Sequence, residues 1–94
     1  MKDIDEFEIN RRFKELREYE GLTRDEIAIK TGIKSGQIAS IENERQKMPA
    51  WYIEAVKNCF PEYVYWFATG DTLPEAGQIS PELEETRRNL SKAG

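Results

Sequence analysis

The sequence predicts an all-α fold. Apolar residues recur at the three- and four-residue spacing of helices, and the alternation typical of strands is scarce. Glycines and prolines divide the chain into segments of helix length. Since 94 residues suit one small domain, we expect five helices over residues 1–70 and a C-terminal arm over residues 71–94. The arm is expected to be extended over residues 71–80 and then to form a short, weakly amphipathic helix that begins at Ser80 and Pro81.

The first helix is predicted by an apolar stripe. Ile9, Phe13 and Leu16 are separated by four and three positions, so they share one face of a helix. This helix is expected to cover about residues 7–19 and to end at Gly21, because glycine commonly follows the last turn.

A capping box predicts where the second helix begins. In "TRDE", Thr23 and Glu26 have the spacing at which each side chain bonds to the other's backbone N–H. The helix is expected over about residues 24–31, with Gly32 at its end. A third helix, over about residues 35–43, follows so closely that the two would form a helix-turn-helix.

Two prolines begin the remaining helices of the domain. Pro49 suits the first position of a fourth helix, expected over about residues 50–59. Pro61 begins a fifth helix, "PEYVYWFATG", and Gly70 would close it in the left-handed conformation.

The third helix points unusual side chains away from the core. At about 100° per residue, Ile38, Ile41 and Glu42 lie on the inner side. The outer side carries small or neutral residues instead of the usual lysine and glutamate: Gly36, Ser40 and Asn43, flanked by Gln37 and Glu44. The DNA major groove admits one helix, and small residues let its backbone approach the base edges, where glutamine suits adenine. The alternative is an ordinary surface helix of a bundle.

Charge is distributed in a way that permits DNA binding through one face only. The net charge is -4 and residues 1–10 are acidic, whereas residues 11–18, "RRFKELRE", carry four basic and two acidic side chains. Overall acidity argues weakly against nucleic acid. Phosphate contacts are expected on either side of the third helix. The residues predicted to make them are Arg24, Asn43, Arg45 and Lys47.

"LTRDEIAIKTGIKSGQIASIENERQKMP" resembles the lambda-repressor-like helix-turn-helix family, also called the xenobiotic-response-element family, over residues 12 to about 60. The resemblance is carried by Leu22, Ile27-Ala28, Gly32-Ile33, Ile38, Ile41-Glu42 and Pro49. The tail "YVYWFATGDTLPEAGQISPELEE" is similar to the small single-domain immunity repressors of temperate bacteriophages. Those have no separate protease-sensing domain, and a chain of this length is not expected to have one. The resemblance implies a dimeric repressor that binds an operator.

Carried over by position, the resemblance implies a role for individual residues. The base-reading positions are Ser35, Gly36, Gln37 and Ser40, to which we add Lys34 at the start of the same tip. The phosphate-binding positions are again Arg24, Asn43, Arg45 and Lys47. A family salt bridge falls on Arg17 and Glu42, in agreement with the inward direction of Glu42, since a buried carboxylate needs a partner.

Three positions depart from the family's pattern. Arg24 stands where glutamine usually binds phosphate and braces the third helix, so the bracing is in question. Gly36 has no side chain at a usual reading position. Glu44 stands where glycine is common and adds a negative charge near the DNA backbone.

The fifth helix and the arm are expected to form a dimer interface. "YVYWFA" is apolar on all sides, so it needs cover from more than one direction. Residues 73–80 would reach across a two-fold axis and pair as a short strand with a second copy. The interface residues predicted are Tyr63, Trp66, Phe67, Gln78 and Ile79. The alternative is that the aromatic side chains belong to the core and the arm covers them.

An enzyme is not expected. The chain has no histidine and a single cysteine, Cys59, so it has no Ser-His or Cys-His pair and no zinc ligand set. No glycine-rich phosphate loop is present, and no cofactor or metal is implied. The other function we consider is an adaptor or antitoxin-like protein that keeps the fold but binds another protein.

The expected location is the cytoplasm of a bacterial host, in association with the nucleoid. No apolar run approaches the roughly 18–20 residues that span a membrane. The acidic N-terminus, "MKDIDEFEIN", lacks the apolar core of a secretory signal.

Overall fold

The computed structural model describes residues 3–93, with side chains up to residue 90. The predicted all-α class is confirmed. Within the described residues the helices are α1 (Glu8–Tyr19), α2 (Arg24–Thr31), α3 (Ser35–Glu42), α4 (Trp51–Cys59), α5 (Val64–Thr69) and α6 (Pro81–Ala93), with 3-10 turns at Pro61–Tyr63 and Pro74–Ala76.

The capping box at the start of α2 is formed as the sequence predicts. The Glu26 backbone N–H donates to the Thr23 hydroxyl at 3.1 Å, and the Thr23 N–H donates to the Glu26 carboxylate at 2.8 Å. That backbone hydrogen bond holds the pKa of Glu26 below its ordinary value. Gly32 ends the helix with a φ of 80°, a conformation that glycine adopts without steric cost. The chain therefore turns sharply into α3.

The core is formed where α3, α4 and α5 meet α1. Its fully buried side chains include Phe13 and Leu16 of α1, Ile38 and Ile41 of α3, and Phe67 of α5. Ile9 is only partly buried, although the predicted stripe includes it. Asn10, its neighbour, is fully buried instead. The stripe on α1 is thus shifted by one residue at its start.

The fifth helix is tied to α1 at its C-terminal end. It begins at Pro61 as a 3-10 turn, continues as α5, and ends at Gly70 with a φ of 85°. The Arg12 Nε donates to the Phe67 carbonyl at 2.9 Å. A Cβ at Gly70 would lie 3.2 Å from the Arg12 Nη1. This end of α5 therefore favours glycine for its backbone conformation, and a larger residue would also have to shift the Arg12 side chain slightly.

The arm folds back on its own domain. Leu73 and Gln78 form an isolated antiparallel bridge around the 3-10 turn. The Gln78 side chain accepts from the Tyr65 N–H and donates to the Pro61 carbonyl, both at 3.0 Å. The Ile79 N–H donates to the Glu62 carbonyl at 2.9 Å. The arm is thus anchored to the beginning of α5 by both backbone and side-chain hydrogen bonds.

Beyond the arm, α6 packs against α1. The Ser80 hydroxyl accepts from the Leu83 N–H at 3.1 Å and so caps α6, as expected for serine before a helix. The predicted short helix is present and extends to Ala93.

The two tryptophans provide a matched test of the core. Trp66 is 7% exposed, whereas Trp51 at the start of α4 is 50% exposed. We expect Trp66→Ala to lower the free energy of unfolding by about 3–5 kcal/mol, because it leaves a cavity. Trp51→Ala should cost less than about 1 kcal/mol. Urea unfolding followed by circular dichroism measures both, and equal losses would contradict the assigned core.

Candidate nucleic-acid interface

The outer face of α3 is open to solvent. Lys34, Gly36 and Gln37 are exposed, and Ser35 and Ser40 are partly exposed. On the opposite side, the side chains of Ile38 and Ile41 are completely buried. We call residues 34–43 the α3 tip. All five residues predicted to read bases therefore lie together on an accessible surface that the core holds in place.

Glu42 fixes the C-terminal end of the tip. Its side chain is 0% exposed and accepts from two atoms of the Arg17 guanidinium, at 2.7 and 2.8 Å. The remaining Arg17 Nη1 donates to the Leu22 carbonyl at 2.9 Å. The predicted ion pair is thus present as a bidentate contact. A buried carboxylate with such a partner resists separation, because a single unpaired charge would be left in the core.

Arg24 adds a second cation to the same carboxylate. Its Nε donates to Glu42 at 3.1 Å, and its side chain is 37% exposed. In the related family a glutamine at this position braces the third helix. Here Arg24, the first residue of α2, braces α3 through its ion pair with Glu42. The Arg24 side chain as a whole stays partly exposed, and its contact with a phosphate stays a prediction.

The chain leaves α3 through a strained turn. Glu44 has a φ of 57°, the left-handed region, which costs a residue other than glycine about 1 kcal/mol. Its carboxylate accepts from the Arg11 Nε at 3.2 Å and Nη2 at 3.1 Å. The turn thus explains why glycine suits this position. The Glu44 carboxylate thus pairs with Arg11 of α1, which also pairs with Asp5.

Asn10 supports the same turn from inside the protein. Its side-chain Nδ2 donates to the Ile41 and Gln46 carbonyls, each at 2.9 Å. These bonds connect α1 to the end of α3, at Ile41, and to the turn that follows it, at Gln46. A lone asparagine next to an apolar stripe gives no sequence signal for this role, so sequence reasoning missed it.

Two further predicted cations differ in their surroundings. Lys47 is exposed and its Nζ lies 3.1 Å from the Glu6 carboxylate. Arg45 is exposed, and its backbone N–H donates to the Ser40 carbonyl at 2.9 Å. Nearby, Arg11 pairs with Asp5, and this hydrogen bond lowers the pKa of the Asp5 carboxyl. Of the acidic residues before α1, Glu6 thus lies beside Lys47, a cation predicted to meet a phosphate.

The residues predicted for a dimer interface are engaged within one copy. Tyr63, Trp66 and Phe67 are buried in the core. Gln78 and Ile79 use the hydrogen bonds described above to hold the arm. This placement is what the core alternative predicts, and pairing with a second copy stays a prediction.

Other kinds of site are not found in the part of the chain that the structure describes. No group of histidine, cysteine, aspartate and glutamate side chains there is arranged to hold a metal ion. None of its helices is both long and apolar enough to cross a membrane.

Comparisons with known proteins agree with this geometry. The helix-turn-helix domain family matches residues 10–57, which extend from α1 into α4. The chain is similar to Repressor protein C of Escherichia phage P2, with 32% identity over 76 residues, 79% of this chain and 77% of the relative. It is also similar to the solved structure of Pf6r from the filamentous phage Pf6 of Pseudomonas aeruginosa PA01. That match has a TM-score of 0.70 and 31% identity, and covers 88% of this chain and 96% of the other.

Glu42→Gln tests the fixation of the α3 tip. The substitution keeps the shape of the side chain but leaves Arg17 without a carboxylate, so we expect the free energy of unfolding to fall by roughly 3 kcal/mol. Glu54→Gln, at an exposed position of α4, is the matched control and should change it by less than about 0.5 kcal/mol. Urea denaturation measures both. Equal values for the two variants would show that the buried carboxylate does not hold α3.

Proposed function

Because the chain belongs to the helix-turn-helix family, we propose that it is a phage or prophage repressor that binds a specific double-stranded operator as a homodimer. It would act by occupying the operator and so blocking RNA polymerase. The observation that carries this proposal is the α3 tip, whose small polar residues are exposed while its apolar residues anchor it in the core.

The tip supplies the base contacts in this proposal. Gln37 is exposed and has both a donor and an acceptor, the combination that matches the N6 and N7 atoms of adenine. Gly36 has no side chain and open space around it, so the backbone can approach the base edges there. Ser35, Ser40 and Lys34 complete the reading surface.

Positive and polar groups on both sides of the tip supply the phosphate contacts. Arg24 precedes it, Asn43 is its last residue, and Arg45 and Lys47 follow it. Phosphate contacts orient a protein on the duplex without reading its sequence. Since the net charge is -4, we expect these local cations, rather than the field of the whole protein, to provide the attraction.

Relatives give the proposal its biological setting. Repressor protein C carries the name of a repressor and comes from a phage, and Pf6r also comes from a phage. By similarity, we assign this chain the role of a phage regulator. The homodimer is proposed through α5 and the arm, with sedimentation of the purified chain as its test.

Gln37→Ala and Lys47→Ala together test the proposal, and each is the control for the other. A duplex is first recovered by selection from a random library. Gln37→Ala should reduce discrimination between bases and leave the salt dependence of binding unchanged. Lys47→Ala should weaken binding to all duplexes alike and reduce the slope of log K against log salt by about 1. Mobility shifts over a salt series measure both effects.

The duplex selection and the salt series with the wild-type chain also separate the proposal from an adaptor that binds protein. A repressor selects a preferred duplex and loses affinity as salt rises. A wild-type chain that recovers no preferred duplex would contradict the proposed function and favour the adaptor.

Glu6→Gln tests whether the acidic segment competes with DNA. Because Glu6 pairs with Lys47 at 3.1 Å, its carboxylate competes with a phosphate for the lysine. The variant should therefore bind every duplex about two- to fivefold more tightly, the range expected for an exposed ion pair. The gain should vanish in the Lys47→Ala background. A gain of the same size in both backgrounds would indicate a general charge effect instead.

A further inference from the structure

Asp25 contacts the reading surface although no part of the predicted interface includes it. The Ser35 hydroxyl donates to the Asp25 carboxylate at 2.8 Å. Ser35 is the first residue of α3, and Asp25 is the second residue of α2. The contact therefore joins the two helices of the motif at the end of α3 that would enter the groove.

This hydrogen bond limits what Ser35 can offer to DNA. A serine hydroxyl has one proton to donate and two lone pairs that accept. A carboxylate only accepts, so the proton of the Ser35 hydroxyl is directed toward Asp25 and away from solvent. What Ser35 presents outward is an oxygen that accepts. The Asp25 carboxylate acts through Ser35, because it holds the hydroxyl proton toward itself.

Acceptors discriminate between two kinds of base in the major groove. Adenine and cytosine each present an exocyclic amino group, which donates, whereas guanine O6 and N7 and thymine O4 accept. A serine oxygen that only accepts, placed against an acceptor of guanine or thymine, would leave both polar atoms unpaired in a desolvated contact, which is unfavourable.

We propose that Asp25 is a specificity-determining residue that makes the Ser35 position an acceptor. On the strand that Ser35 faces, this position selects an amino base, adenine or cytosine, over guanine or thymine. The inference rests on the proposed function and extends it to one base position and one chemical class of base.

A second role for Asp25 must be separated from this one. A carboxylate near a helix N-terminus also stabilises the helix electrostatically, and removing any negative charge near DNA strengthens binding to every sequence. Neither effect alters which base is preferred. The decisive measurement is therefore the base preference at a single position, rather than stability or overall affinity.

The experiment compares selections from a random duplex library by the full-length wild type, Asp25→Asn, Ser35→Ala and the double variant. Asp71→Asn is the matched control, because it makes the same change at an exposed position after α5. In Asp25→Asn the amide can donate to Ser35, so the hydroxyl is free to donate to the base. We expect the preference for amino bases at one position to fall about three- to tenfold, the range of a single hydrogen bond.

Ser35→Ala should lose the same preference, and the double variant should lose no more than Ser35→Ala alone. Asp71→Asn should keep it. Thermal unfolding of each variant verifies that it is folded, and Ser35→Ala provides the test if Asp25→Asn is not. A consensus that is the same in the wild type and Asp25→Asn would overturn the inference while leaving the repressor proposal intact. A wild type without any consensus would overturn both.

Discussion

The buried carboxylate of Glu42 is the constraint on which the arrangement of the motif depends. A charge in the core is stable only with partners, and here Arg17 of α1 and Arg24 of α2 meet it at 2.7–3.1 Å. The last residue of α3 is thus fixed to both preceding helices at once. With Ile38 and Ile41 in the core, a rotation of the helix would expose apolar side chains and separate the ion pair. These contacts therefore keep its small polar side toward solvent.

Acidic partners accompany the polar groups around the α3 tip. Four such contacts surround it: Lys47 with Glu6, Arg11 with Glu44, Arg24 with Glu42, and Ser35 with Asp25. The acidic partners of the three cations reduce the attraction that a phosphate would otherwise find. A surface of this kind is expected to have a lower affinity for non-specific DNA, because that affinity depends on cations that are free to meet phosphates. Discrimination then depends more on hydrogen bonds to base edges, in keeping with an overall charge of -4.

The sequence predicts those features that follow from local rules. Thr23 and Glu26 form the capping box because their spacing suffices, and the inward direction of Glu42 follows from helical periodicity. Features that depend on distant parts of the chain are not predictable in this way. The buried amide of Asn10 and the pairing of Glu6 with Lys47 join segments about 35–40 residues apart. The return of the arm onto α5 is also set by such contacts, through Gln78.

The most direct test of the α3 tip as a reader of DNA is nuclear magnetic resonance of the 15N-labelled chain during titration with its selected duplex. The account predicts that amide shifts change most at residues 34–40, next at Arg24, Arg45 and Lys47, and little in α6. Large changes confined to α6 and the arm, with residues 34–40 unaffected, would contradict it.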